Sequence, residues 1–397
     1  MGHRFLLRKA YEEFKVGDFK SLAKKTCFYL RHKLLEETFS FEDEFEKWKK
    51  INDKLALCRI KMSASVKKGK IVFLVPGVAI SGGIAIVLQH ANRLLKKGLD
   101  IKILSLGITN DASWFPDQRV EILAYRETRK VLESGEIDVL IATGYSTAFS
   151  VALSQAKRKI YFVQSDESRF FPEDPALCEK IKETYQLPME YITEALWIQK
   201  WLKAEYGQEA YYVPNGLDLE VFKKIEPRDP KNKKPRVLIE GAINVTYKGM
   251  IDAYNAVKDL DCELWIISSN GKPKPDWQYN KFFESVPFSE MNKMYSSCDI
   301  FLKMSRVEGF FGPPMEAMAC GCAVVVGKVT GYDEYIVDNK NALVVEQGDI
   351  DGAKKAVQQL IDDRALRERL IQNGYQTAKE WTWEKSIDAM EKFLLGS

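Results

Sequence analysis

The chain has 397 residues, 46% of them hydrophobic and 29% charged, with 24 Gly and 14 Pro. That composition excludes a small disulfide module, a collagen-like repeat and long disorder, and its length sets an expectation of two to three domains. The formal charge is +3, but residues Met1 to Leu35 carry nine Lys/Arg against three Asp/Glu, which is +6 and leaves −3 for the remainder, so the body lacks the basic excess of a nucleic-acid binder.

The first 68 residues read as a basic helical extension. Phe19, Leu22, Ala23, Thr26, Leu30 and Leu34 fall on one helical face, with Lys20, Lys24, Lys25, Arg31 and Lys33 around the rest. Such a helix either lies on an anionic membrane surface or packs on the body with a solvated basic face. Ile71 to Leu88 then runs eighteen residues without a charge, long enough to span a bilayer. Pro76, Gly77, Ser81, Gly82 and Gly83 interrupt it, and β-branched residues cluster before them, so it reads as strand, glycine loop and helix. Strands are expected at Ile71 to Val75, Ile101 to Ser105, Glu121 to Ala124, Val139 to Ala142, Ile160 to Gln164 and Tyr191 to Thr193, with helices between them. The polar stretch Glu226 to Pro235 carries three prolines and is the clearest linker. After it the alternation restarts, with strands expected at Val237 to Glu240, Leu264 to Ser268, Phe282 to Val286, Ile300 to Met304, Ala323 to Val326 and Ala342 to Val345. From Asp349 the pattern turns helical, ending in a helix near Trp383 to Leu394. The expected fold is α/β: the extension 1–68, a Rossmann-like domain 69–218, a linker 219–235, a second Rossmann-like domain 236–378 and a terminal helix 379–397. Seven cysteines without framework spacing and no secretory pattern give a reducing, cytoplasmic setting as the expectation. Cys320 and Cys322, with only three histidines in the chain, do not compose a zinc site.

Doubly wound sheets bind ligands beyond the carboxyl ends of their strands, and three segments there could carry chemistry. Val75 to Gly83 follows a strand and opens a helix. Its glycines either let backbone amides approach a phosphate or form a purely structural turn. It lacks the G-x-G-x-x-G spacing, and no acidic residue ends the second strand at Ser105, which disfavours a nicotinamide-dependent oxidoreductase. Glu240 to Gly249 places Lys248 at a strand end, opening a helix, where an ammonium can neutralise a diphosphate. Ser305 to Gly321 places Glu308 in a loop after a strand. Pro313 and Pro314 set a helix start there, with Glu316 in its first turn. Two carboxylates thus reach one cleft from different elements. Read alone, Glu316 is also a favourable charge at a helix N-terminus and Glu308 a solvated loop carboxylate.

Glu308 and Glu316 with seven residues between them, in EGFFGPPMEAMACG, resemble the E-x7-E motif of retaining GT-B glycosyltransferases of family 4. Lys248-Gly249, the Gly82-Gly83 loop, Asn215-Gly216-Leu217-Asp218 and Asp338-Asn339-Lys340-Asn341 extend the resemblance over about residues 70 to 395. Ile141-Ala142-Thr143 and Tyr161-Phe162-Val163-Gln164, followed by Glu167 and Phe170-Phe171-Pro172, are similar to polysaccharide rhamnosyltransferase-type members. The resemblance implies a nucleotide-sugar donor bound mainly by the second domain across a central cleft, with a glycan or lipid-linked acceptor approaching from the first. Thr143, Tyr145, Gln164 and Glu167 are the candidates on the acceptor side. Glu316 would accept from the ribose hydroxyls, Lys248 would face the diphosphate, and Glu308 with the amides of Gly309, Phe310 and Phe311 would hold the transferred sugar. Gly82 and Gly83 would close over the diphosphate. The leaving diphosphate's charge would then be stabilised by cationic and amide donors, with no metal or other cofactor expected.

Three positions depart from the family. An Arg six residues before the Lys is replaced by Ala242, for which Arg306 is the candidate substitute. Phe311 stands where the family has glycine, with Gly312 following. A histidine common after the fourth strand is absent from Ala142-Thr143-Gly144-Tyr145. The expected function is sugar transfer in cell-surface polysaccharide synthesis, at the inner membrane face if residues 1–35 bind it. The alternative is a catalytically weak GT-B subunit that binds a glycan or a partner transferase.

Overall fold

The computed structural model describes residues 39–55, 69–230 and 233–396; the basic segment 1–35 lies outside them. Strands β1 (Ile71–Val75), β2 (Ile101–Ser105), β3 (Ile122–Leu123), β4 (Val139–Ala142), β5 (Arg158–Val163), β6 (Glu190–Thr193) and β7 (Ala210–Tyr212) form one parallel sheet in the order β3-β2-β1-β4-β5-β6-β7. A second parallel sheet, β10-β9-β8-β11-β12-β13, contains β8 (Arg236–Glu240), β9 (Glu263–Ser268), β10 (Lys281–Glu284), β11 (Ile300–Lys303), β12 (Ala323–Gly327) and β13 (Leu343–Val345). Twelve helices accompany them among the described residues: α1 (Phe41–Leu55), α2 (Gly82–Lys96), α3 (Tyr125–Ser134), α4 (Tyr145–Leu153), α5 (Pro175–Thr184), α6 (Leu196–Tyr206), α7 (Met250–Val257), α8 (Met291–Ser296), α9 (Gly312–Ala319), α10 (Ile350–Asp362), α11 (Arg364–Glu380) and α12 (Trp383–Leu395).

The central strands are apolar throughout because helices cover both faces of each sheet. In β1 the alternation is explicit: Ile71, Phe73 and Val75 enter the core under α2, while Val72 and Leu74 enter the opposite core with Phe149 of α4. The uncharged run from Ile71 to Leu88 is therefore β1, its loop and the first half of α2. None of the described helices is long and apolar enough to cross a membrane. Helix α1 lays Phe41, Phe45 and Trp48 around the Phe149 ring.

The chain passes between the domains twice, side by side. Leu217 on the outward passage bridges to Thr382 on the return, and its amide donates to the Trp381 carbonyl at 2.8 Å. Helix α12 then buries Trp383, Ile387, Met390 and Leu394 in the first domain's core. β7 is not among the strands expected from sequence. Ala210-Tyr211-Tyr212 is an edge strand of three residues and shows too little alternation to register as one.

Candidate functional site

Both sheets reverse strand order beside a central strand, between β1 and β4 and between β8 and β11, and a crevice forms beyond the carboxyl ends at each such point. In the second sheet those ends are charged. Ile239 and Leu302 point into the core under α7 and α10. One residue on, Glu240 and Lys303 turn to the other face, where the Lys303 Nζ donates to the Glu240 carbonyl at 3.0 Å and to its Oε2 at 2.7 Å. Glu316 sits across this face on α9. The helix starts at Gly312, so Glu316 is its fifth residue and lies in the second turn, not in the first as the two prolines suggest. The Tyr295 hydroxyl of α8 donates to its Oε2 at 3.1 Å. Burial, with the Glu240 charge adding to it, pushes the Glu316 carboxyl up to about 7.

Lys248 closes the other side. It ends a 3-10 turn, Thr246–Lys248, and precedes α7 rather than beginning it. The next residue, Gly249, has φ 62°, and a Cβ there would lie 1.9 Å from the Met304 carbonyl oxygen, so only glycine lets the turn rest on the end of β11. The Arg306 amide donates to the Tyr247 carbonyl at 2.7 Å and fixes the turn to the following loop. The Lys248 Nζ consequently reaches both Glu308 oxygens, at 3.0 and 2.9 Å. Glu308 is only 8% exposed, so it is not a solvated loop carboxylate. Burial pushes its carboxyl up, but Lys248 and Lys303 together outweigh burial and hold it below its ordinary value.

From the first domain, Ser81 caps α2 by accepting the Ile84 amide at 3.3 Å, which leaves Gly82 facing open space. A Cβ on Gly83 would meet Gln164 Oε1 at 3.2 Å. Gln164, after β5, donates from Nε2 to the Thr143 carbonyl at 3.0 Å, while its buried Oε1 has no hydrogen-bond partner among the described residues. A Cβ on Gly309 would overlap the Gln164 carbonyl oxygen at 1.9 Å, so glycine is required at this crossing as well. Gly83, Gln164, Gly309, Glu308 and Lys248 thus form one chain of contacts across the cleft. Phe311 is buried and Phe310 half-buried beside Tyr335 and Trp381.

Other candidates are turned elsewhere. Arg306 pairs with Asp252 at 2.6 Å with its side chain 47% exposed, on the side of α7. The Thr143 hydroxyl donates to the Leu74 carbonyl at 2.8 Å. The Tyr145 ring lies against Phe41 and Phe171. Glu167 accepts the Tyr145 amide at 2.6 Å and the Tyr161 hydroxyl at 3.1 Å, serving as the anion at the start of α4, and burial pushes it up to about 7.

Four further residues belong to the cleft and were not singled out from sequence: Glu240, Lys303, Tyr295 and Glu194. Glu194 follows β6, accepts the Phe310 amide at 3.3 Å and is pushed up to about 8 by burial. A signal existed for two of them. Glu240 and Lys303 each close a run of three apolar residues, Val237 to Ile239 and Ile300 to Leu302.

Residues 279–377 match the family model described as Glycosyl transferases group 1. The O-antigen chain mannosyltransferase B of Escherichia coli is 25% identical over 273 residues, covering 68% of this chain and 63% of its own length. An uncharacterized glycosyltransferase of Methanocaldococcus jannaschii is 28% identical over 156 residues, covering 37% of this chain and 44% of its own. The chain thus aligns with only about half to under two thirds of the length of these relatives. Among solved structures, the Anabaena protein HepE in complex with UDP-glucose superposes with a TM-score of 0.70 at 14% identity, over 83% of this chain and 100% of its own. Sucrose-phosphate synthase from Thermosynechococcus elongatus superposes with a TM-score of 0.69 at 14% identity, over 82% and 98%. The fold is GT-B, and the resemblance to group 1 glycosyltransferases is shown by the family match and the relatives together. None of them singles out the rhamnosyltransferase type.

Proposed function

We propose that this chain, a GT-B protein whose second domain matches the group 1 glycosyl transferases, moves a sugar from a nucleoside-diphosphate-sugar to a glycan or lipid-linked acceptor in polysaccharide synthesis. The observation that carries this reading is the Lys248–Glu308 pair beyond the end of β11, with Glu316 brought to the same strand ends, within reach of the Lys303 and Glu240 charges, by an independent helix. Departure of a nucleoside diphosphate builds negative charge on the phosphate and positive charge on the sugar carbon. Lys248 is placed to meet the first, and Glu308, kept ionised by its lysines, to meet the second. Glu316 supplies acceptor oxygens for ribose hydroxyls. The unpartnered Gln164 Oε1 is available to a sugar hydroxyl at the first domain's edge. Retention of configuration is inherited from the resemblance. The names of the relatives, an O-antigen mannosyltransferase among them, support a polysaccharide context.

The test is thermal stabilisation by UDP, dTDP, GDP and ADP, followed by nucleotide release from the matching nucleotide-sugars. One diphosphate should stabilise the wild type, with Glu316→Ala abolishing the shift. Lys248→Ala should lower turnover by roughly 10²–10³-fold, the scale of losing one donor to a developing anion. The second reading, a subunit that binds without turning over, is favoured by Glu194 already occupying the Phe310 amide and by the Thr143 hydroxyl being spent on Leu74. Binding with no nucleotide release from any sugar donor, with or without added glycan acceptors, would decide for it.

A further inference from the structure

Ala242 stands where the resemblance leads one to expect an arginine facing the diphosphate, and Arg306 does not stand in for it here, because its guanidinium is already paired with Asp252. One other ammonium reaches this site from the sheet. Lys303 ends β11, the strand from whose loop Glu308 is hung, and its side chain is 2% exposed. On its face of the sheet it meets Glu240 directly, and it acts electrostatically on both Glu308 and Glu316. Burying an ammonium costs several kcal/mol in desolvation unless other groups compensate, and a purely structural pair is readily replaced by apolar residues. At this point of the fold the strands are otherwise apolar, so the pair is not required to complete the core. Glu240, Glu308 and Glu316 outnumber Lys248 and Lys303 by one negative charge when all are ionised. Without Lys303 a dianionic diphosphate would face a site with two uncompensated carboxylates.

We propose that Lys303 is the second cation of the donor site, supplying through the strand end the charge that Ala242 does not, and that Arg306 has no part in donor binding. The proposal rests on the glycosyltransferase reading and goes further by assigning the diphosphate's electrostatic partner. Ligand entry adds the diphosphate to the carboxylates, Glu240 foremost, that Lys303 already balances. Its charge is used twice, and Glu240 sets how much of it the ligand receives.

The experiment is calorimetric titration of the full chain with the nucleoside diphosphate that stabilises the wild type, chosen from UDP, dTDP, GDP and ADP, and with the corresponding uncharged nucleoside. The variants are Lys303→Met, Lys303→Arg, Arg306→Ala and the double variant Glu240→Gln/Lys303→Met, each first checked for a wild-type melting profile. Lys303→Met is expected to weaken the diphosphate by roughly tenfold or more while leaving the nucleoside within about twofold, as loss of one nearby, poorly screened positive charge implies. Lys303→Arg is expected to recover part of the loss, and Arg306→Ala to bind as wild type. A merely structural lysine would weaken nucleoside and diphosphate alike, which would overturn the proposal. Full recovery of diphosphate binding in the double variant would overturn it too, since Lys303 would then serve only to neutralise Glu240. Should no diphosphate bind the wild type, the glycosyltransferase reading itself fails and this assignment falls with it. That result is distinct from a wild type that binds and a Lys303→Met that binds equally well.

Discussion

A buried histidine in the first domain shows what a single side chain contributes when nothing satisfies it. His90, on α2, is fully buried between the edges of Phe162 and Trp383, and neither ring nitrogen has a hydrogen-bond partner among the described residues. Burial, aided by the nearby Arg93 charge, lowers its pKa to about 3. The unfolded chain takes up a proton as pH falls below about 6.5, while the folded chain stays neutral down to about 3. Stability is therefore lost as pH falls through that window, at about 1.4 kcal/mol per pH unit, or about 2 kcal/mol by pH 5. His90→Leu should raise the melting temperature, and by more at pH 5 than at pH 8. An equal gain at both would mean that packing, not protonation, carries the effect. No sequence pattern distinguishes this histidine from a ligand: its neighbours on α2 mix apolar residues with Gln89, Asn92 and Arg93, and only the ring contacts show what surrounds it. Glu308 illustrates the converse. Its spacing to Glu316 made both residues legible, but its burial and its two lysines depend on how β8 and β11 pair, which spacing does not encode.

Among the elements, α12 carries a polar contact that fastens its last turn to the first domain. Arg158, at the start of β5, forks to both Glu190 oxygens at 2.6 and 2.7 Å and donates to the Leu394 and Phe393 carbonyls at 2.7 and 3.0 Å. Its guanidinium thus caps the last turn of a helix that arrives from the second domain, where carbonyls lack partners along the helix. Arg158→Met would leave the partly exposed Glu190 and two carbonyls without this partner, and stranding such groups costs about 1–3 kcal/mol. Chemical denaturation should show that loss, with the midpoint falling and the slope unchanged; a midpoint within error of wild type would assign the helix's attachment to its apolar face alone. The helix itself was legible from its periodicity, as were twelve of the strands, because buried parallel strands flanked by amphipathic helices leave a strong pattern. Its docking on the other domain was not legible, since one apolar stripe fits either core. The start of α9 differs for a local reason: Gly312 already adopts helical geometry ahead of Pro313 and Pro314, which moves Glu316 one residue inward, from the end of the first turn into the second.

Across the whole molecule the two domains meet along a polar seam, and its chemistry gives closure a pH dependence. Trp197 donates to the Gly309 carbonyl at 2.8 Å, the Leu196 amide and Tyr212 hydroxyl hold Glu334 at 3.1 and 2.6 Å, and Arg169 reaches Thr330 at 3.1 Å and the Arg306 carbonyl at 3.3 Å. Phe170 stacks on Tyr247 at 5.2 Å, next to Lys248. The seam therefore holds the Glu308 loop and the Lys248 turn against the first domain. Two of its carboxyl groups titrate unusually: Glu194, pushed up to about 8, and Glu334, raised mainly by burial. Opening the cleft returns both toward ordinary carboxylate values near 4.5. Between about 4.5 and 8 the closed form then binds more protons than the open one, so closure weakens as pH rises through that range and levels off above it. Small-angle scattering of the unliganded chain from pH 5 to pH 9 should show an increasing radius of gyration. Glu194→Gln keeps the acceptor for the Phe310 amide but cannot ionise, and should flatten most of that rise, leaving the part due to Glu334. A slope unchanged by Glu194→Gln would show that the seam's pH response lies elsewhere, and a radius constant across the range would show that Trp197, Arg169 and the Phe170–Tyr247 stack hold the cleft shut without help from the carboxyls.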